Sequence, residues 1–196
     1  PPLWMKLANA EWANGAGESI RLITNSGGHM STALLAQLQS IFPNARPFLM
    51  YGFTEAFRST YLTPNEIDSK PNSMGKAIPN AEILVVREDG TPCDPDEAGE
   101  LVHRGVHVAL GYWNDPEKTA QRFKPAPNQN PGIPITELAV WSGDTVKRDK
   151  DGYLYFVGRK DDMIKTSGYR VSPSEVEEIV FSSGIVSEAV ALGIQI

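Results

Sequence analysis

Trp141-Ser142-Gly143-Asp144-Thr145-Val146-Lys147-Arg148-Asp149-Lys150-Asp151-Gly152-Tyr153-Leu154-Tyr155-Phe156-Val157-Gly158-Arg159-Lys160-Asp161-Asp162 is the stretch around which the rest of the chain is arranged. Two strand-like runs, 145–147 and 153–157, flank Asp151-Gly152. That dipeptide tolerates the positive φ angles of a tight turn, so the stretch predicts a β-hairpin. Gly158-Arg159-Lys160-Asp161-Asp162 follows at once, a short charged break before a new apolar pattern that starts at Met163. Such a break predicts a hinge between two domains. Beyond it, Ser172-Pro173-Ser174-Glu175 has the form of a capping box with proline in the first turn, opening a helix to about residue 183. Residues 186–194 read as a strand.

Upstream, residues 4–14 are weakly helical and 20–24 read as a short buried strand. Asn25-Ser26-Gly27-Gly28-His29 is a tight loop. Residues 31–41 carry Leu34, Leu35, Leu38 and Ile41 on one helical stripe, which Pro43 stops. A second apolar run, 47–50, leads into the polar loop Tyr51-Gly52-Phe53-Thr54-Glu55. Strand, glycine-rich loop, helix, strand and polar loop make an α/β unit. From Gly75 the pattern turns β-rich, with strand candidates at 82–86, 99–104 and 106–109 separated by turn residues. Asp115-Pro116 opens a helix to about residue 123, and 124–135 is a proline-rich exposed loop.

The net charge of −6, from 24 acidic and 18 basic residues, argues against non-specific nucleic-acid binding. An anionic ligand would have to be held by local donors. The single cysteine, Cys93, cannot form an internal disulfide and reads as a turn residue. No apolar run is long enough for a membrane span, and no signal-peptide pattern opens the chain. A cytoplasmic location is the expectation. The chain starts without methionine and stops inside an apolar pattern, so it is expected to be a piece of a longer protein.

Each candidate for chemistry has two readings. Ser26-Gly27-Gly28 either lets backbone approach a flat or anionic ligand or is only a tight turn. Tyr51 either stacks on a base or fills the core. Thr54 can donate to a phosphate; Glu55 is either a hard oxygen ligand for Mg²⁺ or a solvated carboxylate. Asp144 either takes the hydroxyls of a ribose or caps a turn. Arg159 and Arg170 either meet phosphate or pair with Asp161 or Asp162. His103 and His107 have a spacing that suits a metal pair on a helix, but they lie in strand-like sequence around Gly105.

Taken together and in order, Tyr51-Gly52-Phe53-Thr54-Glu55, Gly99-Glu100-Leu101-Val102-His103-Arg104-Gly105 with Gly111-Tyr112-Trp113, Ser142-Gly143-Asp144, Gly158-Arg159-Lys160-Asp161-Asp162, and Lys165-Thr166-Ser167-Gly168-Tyr169-Arg170 with Glu175-Val176-Glu177 resemble the adenylate-forming enzymes. Within that superfamily the chain looks most like an AMP-forming acyl-CoA ligase. The resemblance implies an α/β fold. Residues 1–160 would be the downstream part of a large AMP-binding domain, with a β-rich subdomain at about 75–160. Residues 161–196 would be the first part of a small, mobile α+β lid domain, with its hinge at Asp161. It implies ATP-dependent activation of a carboxylic acid, fatty or other acyl, as an acyl-adenylate with release of pyrophosphate. Transfer to the thiol of coenzyme A would follow. ATP/AMP, Mg²⁺ and coenzyme A would be the cofactors, and an acyl carrier protein is the alternative acceptor.

By motif position, Gly27, Gly28 and Tyr51 would line the adenine pocket. Thr54 would touch phosphate, Glu55 would hold Mg²⁺, Asp144 would bind the ribose with Arg159 nearby, Arg170 would lie near phosphate, and Gly168 would face the thiol tunnel. The sequence departs from the family in lacking the upstream phosphate loop and the lysine of the far C-terminal domain, since no lysine follows Lys165. His29 stands where many relatives have a small residue. The piece alone is therefore expected to be inactive. The other reading is a non-catalytic nucleotide-binding module. Apolar edges exposed by the missing halves would let copies pair as a homodimer.

Overall fold

The computed structural model describes residues 2–129, 132, 136–160, 162, 164–166, 169–183, 185–186 and 189–194. Helix α1 (Pro2–Ala8) is shorter than the helical pattern of 4–14 suggests. Strand β1 (Leu22–Asn25), helix α2 (Thr32–Ile41) and strand β2 (Arg46–Phe53) form the expected α/β unit. Ser31 starts α2 by accepting the Leu34 amide at 3.2 Å, satisfying one of the orphan donors of the first turn. The Leu35 and Leu38 side chains of α2 are buried against Ile23, Met30, Phe42 and Leu62, so the crossover helix covers one face of the sheet. β1 and β2 run parallel, with Leu22 opposite Arg46 and Asn25 opposite Leu49.

The segment read as a polar loop at 51–55 is instead the end of β2 and a two-residue turn. β2 continues to Phe53, Thr54 and Glu55 turn, and strand β3 (Ala56–Leu62) returns antiparallel with Phe53 opposite Ala56. Strands β4 (Ser73–Ala77), β5 (Ala81–Val86) and β6 (Gly99–Gly105) follow. The strand candidate at 106–109 is a turn and loop, because β5 pairs with β6 only as far as Gly105 and the chain then leaves the sheet. Helix α3 (Pro116–Arg122) starts as the sequence indicates, with Asp115 accepting the Lys118 amide at 2.9 Å. Strand β7 (Phe123–Pro125) then precedes the hairpin, whose strands β8 (Leu138–Arg148) and β9 (Leu154–Arg159) are longer than the runs the sequence marks. Gly152 takes the positive φ, 87°, that its turn requires.

These strands form one sheet in the order β1-β2-β3-β4-β9-β8-β6-β5, with β7 against β8. A second, two-stranded sheet pairs β10 (Ile164–Thr166) with β11 (Tyr169–Val171), and helix α4 (Pro173–Ser182) follows at the expected start. No strand is present among the described residues of 186–194. This segment runs beside Ile164 of β10 and donates the Ala191 amide to Glu177 of α4 at 2.9 Å, and Val190, Leu192 and Ile194 are exposed. A second core of Ile83, Val85, Cys93, Leu101, Val146 and Leu154 joins β5, β6, β8 and β9, with Tyr51 and Phe53 packed against it. None of the described helices is long and apolar enough to cross a membrane.

Candidate active site

The site begins where the parallel pair ends. Asn25 closes β1 opposite Leu49, so Gly27 and Tyr51 each lie two residues further on, at the same C-terminal end. Ligands of open α/β sheets bind at that end. The buried Asn25 amide donates to the Gly28 carbonyl at 3.0 Å and shapes the loop. Gly27 has φ 78°, and nothing lies within 4 Å of where its Cβ would project. The loop therefore offers bare backbone beside open space.

Tyr51 reaches across the molecule. Its hydroxyl donates to Asp144 Oδ2 at 2.5 Å, joining residues 93 apart in sequence. β2 and β8 are not neighbours in the sheet, so the sheet must curl to bring them together. Asp144 is 7% exposed. Its backbone sits in a braced, irregular stretch of β8. The Ser142 hydroxyl accepts the Asp144 amide at 3.0 Å and donates to the Leu101 carbonyl at 2.7 Å. Arg122 at the end of α3 donates to the Ser142 carbonyl at 2.8 Å, and Glu100 accepts the Gly143 amide at 3.1 Å. Gly143 has φ 74°, a left-handed conformation that favours glycine at this irregular point of β8, and a Cβ there would also displace the Arg122 guanidinium.

The β8–β9 register sets Arg159 opposite Asp144, and Arg159 Nε lies 3.2 Å from Asp144 Oδ1. That ion pair lacks hydrogen-bond alignment, so Oδ1 keeps an unused acceptor. Burial raises the Asp144 carboxyl above the ordinary carboxylate range. The Tyr51 hydrogen bond and the charges of Arg159 and Arg122 pull the other way, and Glu55 adds to the rise. The Tyr51 phenol is pushed well up, by burial first and by the Asp144 charge second, so the proton between them stays on the tyrosine.

Thr54 and Glu55 occupy the β2–β3 turn, Thr54 exposed and Glu55 half-buried. The Glu55 carbonyl accepts the Ala109 amide at 2.8 Å, and Glu55 Oε1 accepts the Tyr112 hydroxyl. Arg170 lies in β11, opposite Lys165, with its side chain outside the described residues. Asp161 and Gly168 also lie outside them. Tyr51, Asp144 and Arg159 are thus brought into direct contact, with Glu55 near enough for its charge to act on Asp144.

The two histidines do not make a metal pair. His103 is fully buried, with Nδ1 2.8 Å from the Ser59 hydroxyl, while His107 Nε2 lies 3.2 Å from the Pro79 carbonyl. No cluster of three or more His, Cys, Asp or Glu side chains suited to a metal occurs among the described residues. Cys93 is buried, and burial raises its thiol, which suits packing rather than nucleophilic chemistry. Sequence reasoning assigned no role to Tyr112, Arg122 or Glu100. Gly111-Tyr112 before the Asp115 cap was visible as a motif, but nothing in its spacing names Glu55 as the partner.

Residues 1–113 match the family model described as AMP-binding enzyme. A long-chain-fatty-acid–CoA ligase of Salmonella typhimurium is 36% identical over 144 residues, 74% of this chain and 24% of the ligase. Surfactin synthase subunit 2 of Bacillus subtilis is 34% identical over 99% of this chain, which is 6% of that protein. Among solved structures, the O-succinylbenzoate coenzyme A synthetase of Bacillus subtilis, in complex with ATP and magnesium ion, superposes with a TM-score of 0.81. It is 26% identical, over 100% of this chain and 38% of that one. The chain thus spans about a quarter of the length of the curated ligase it matches. A match over more than half its length, with relatives above 30% identity across 74% and 99% of it, places this chain in the family of AMP-binding, adenylate-forming enzymes.

Proposed function

We propose that the full-length protein carrying this chain activates a carboxylic acid with ATP, forming an acyl-adenylate and pyrophosphate, and passes the acyl group to coenzyme A. The observation that carries this reading is the Tyr51–Asp144–Arg159 contact at the C-terminal end of the parallel pair. Asp144 has one oxygen engaged by a phenol and the other without an aligned hydrogen bond. A buried acceptor in that state suits the hydroxyls of a ribose. The bare backbone at Gly27 and Gly28 suits the flat face of adenine, with Tyr51 beside it. Arg159, half-exposed, suits a phosphate or the ribose.

Mg²⁺ fits the donor set at the β2–β3 turn. Glu55 uses Oε1 toward Tyr112, which leaves Oε2 for a hard cation, and the Thr54 hydroxyl stands exposed next to it. With no wider carboxylate cluster among the described residues, the ion's other ligands would be phosphate and water, as is usual for Mg²⁺. Bound there, the ion would neutralise charge on the phosphates. The protein's own contribution is to hold the ribose at Asp144 and the phosphates near Thr54, so that the carboxylate substrate meets a fixed α-phosphate. The hinge at Asp161, the thiol tunnel at Gly168 and a phosphate contact by Arg170 belong to the same proposal, with residues 161–196 as the start of the lid. Without the remainder of that lid the 196-residue chain is inactive.

Delivery to a carrier-protein thiol is the second reading. The match to surfactin synthase subunit 2 favours it, because it runs over 99% of this chain whereas the ligase match runs over 74%. Pyrophosphate release by the full-length protein tests both, with ATP, Mg²⁺ and a panel of carboxylic acids, each with and without coenzyme A. Release that depends on one class of acid, collapses in Asp144→Ala and yields acyl-CoA is the expected result. Acid-dependent release without acyl-CoA selects the carrier protein. No release with any acid, despite AMP binding, selects a non-catalytic nucleotide-binding module.

A further inference from the structure

The loop between β6 and α3 grips Glu55 at two points. The Ala109 amide holds its carbonyl at 2.8 Å, and the Tyr112 hydroxyl holds its carboxylate. Tyr112 is itself tightly set. Its amide donates to Thr119 Oγ1 at 2.9 Å, and that hydroxyl donates onward to the Asp115 carbonyl at 2.7 Å. Its ring meets Phe123 edge-on, with centroids 5.8 Å apart at 83°. Gly111, at φ 143°, has no room for a Cβ, which would come within 2.7 Å of Thr119 Cγ2. The other end of the same helix, Arg122, braces the carbonyl of Ser142, two residues before Asp144. α3 therefore reaches both ends of the candidate nucleotide site, through Tyr112 to Glu55 and through Arg122 to Asp144.

We infer that Tyr112 is a positioning residue for Glu55: its hydroxyl, anchored on α3, holds Oε1 so that Oε2 is presented to the divalent cation that accompanies the nucleotide. This rests on the function proposed above. An unanchored glutamate at a turn tip samples several rotamers, and binding must then bear the entropy of ordering it. A hydroxyl clamped by packing and hydrogen bonds removes that cost in advance. The contact involves one carboxylate oxygen, so it orients the group without using up its capacity as a ligand.

The test is Tyr112→Phe in the full-length protein, which keeps the ring against Phe123 and removes the hydroxyl. Mn²⁺, a paramagnetic stand-in, is titrated by electron paramagnetic resonance against protein saturated with a non-hydrolysable ATP analogue. AMP affinity is measured separately in EDTA. The expected result is Mn²⁺ binding weakened roughly tenfold, the low end for a hydrogen bond to a charged group, with metal-free AMP affinity within about twofold. The Glu55→Gln variant should lose Mn²⁺ binding, and adding Tyr112→Phe to it should do nothing further. Unchanged Mn²⁺ affinity in Tyr112→Phe overturns the inference. So does an equal loss of AMP affinity, which would mark general disruption of the site. A double-mutant cycle on urea midpoints, without nucleotide, separates the two levels. Non-additivity between Tyr112→Phe and Glu55→Gln with no nucleotide binding by the wild type would keep the contact but overturn the inferred role together with the proposed function. Additivity there, with nucleotide binding intact, overturns the positioning role alone.

Discussion

Asp144 and His103 are buried titratable groups whose effects on stability have opposite signs. The folded state raises the Asp144 carboxyl, chiefly by burial. Between the ordinary carboxylate value and that raised value the folded chain binds the extra proton, so this group makes stability fall as pH rises through the window. Asp144→Asn should remove that slope. It should also weaken AMP binding by roughly 10- to 100-fold, if hydrogen bonds to a charged acceptor are lost at the usual ~1.5–3 kcal/mol. His103 runs the other way. Burial, with His107 adding, lowers it from 6.5 to about 4. Its contribution is complete above about 6.5 and is lost as pH falls toward 4, amounting to about 3 kcal/mol at most. His103→Gln should flatten the acid limb of a plot of urea midpoint against pH. An acid limb identical to wild type would show that the imidazole stays solvated or charged in the fold. Comparing each variant with wild type separates the two overlapping slopes.

At the scale of elements, β4 carries the sheet from the α/β unit to the β-rich half. It pairs with β3 through Thr60 opposite Ala77, and with β9 through Gly75 opposite Leu154. The register shifts between Ser73 and Gly75, and Gly75 has φ 81° with the Tyr61 carbonyl where a Cβ would stand. The obstacle is backbone, so it cannot swing aside. Gly75→Ala should destabilise the chain by roughly 2–4 kcal/mol, the left-handed strain plus a displaced strand pair. A denaturant unfolding curve checks this, and a loss under 1 kcal/mol would mean that the β3–β4 junction yields easily. The clamp below the β8–β9 hairpin is a second tie. Lys70 Nζ bridges Asp149 at 2.8 Å and Asp151 at 2.7 Å, while the Tyr153 hydroxyl donates to Glu66 at 2.7 Å. It secures residues 66–70 to the hairpin whose register places Arg159.

For the whole molecule, exposed apolar side chains concentrate in the last described segment. Ile185 is 87% exposed, Val190 77%, Leu192 78% and Ile194 84%. Isolated exposed apolar residues are ordinary, but a run of them marks a surface that associates. The 196-residue chain should therefore bind a hydrophobic dye and show concentration-dependent association in sedimentation equilibrium, whereas the full-length protein should show less of both. A chain that stays monomeric and dye-silent at about 100 μM, a concentration at which an apolar patch of this kind would associate, contradicts this.

What was legible in the sequence is what depends on neighbours along the chain. The Asp115 cap, the leucine stripe of α2, the Asp151-Gly152 turn and the α/β unit of β1, α2 and β2 each follow from local backbone requirements or from a periodicity. The motif order also pointed to the family. Tertiary structure decided the rest, because a period of two says which face of a strand is buried but not which strand it pairs with. Phe53 could end a strand or sit in a loop until β3 returned against it. Residues 106–109 alternate like a strand, yet β5 pairs with β6 only to Gly105, so they turn and bring Ala109 and Tyr112 onto Glu55. Arg159 meets Asp144 because of the β8–β9 register, and Tyr51 meets Asp144 because a curled sheet brings β2 and β8 together across three intervening strands. The residues of the site were readable one at a time; their contacts depend on strand pairing and curvature, which arise only when the whole sheet packs.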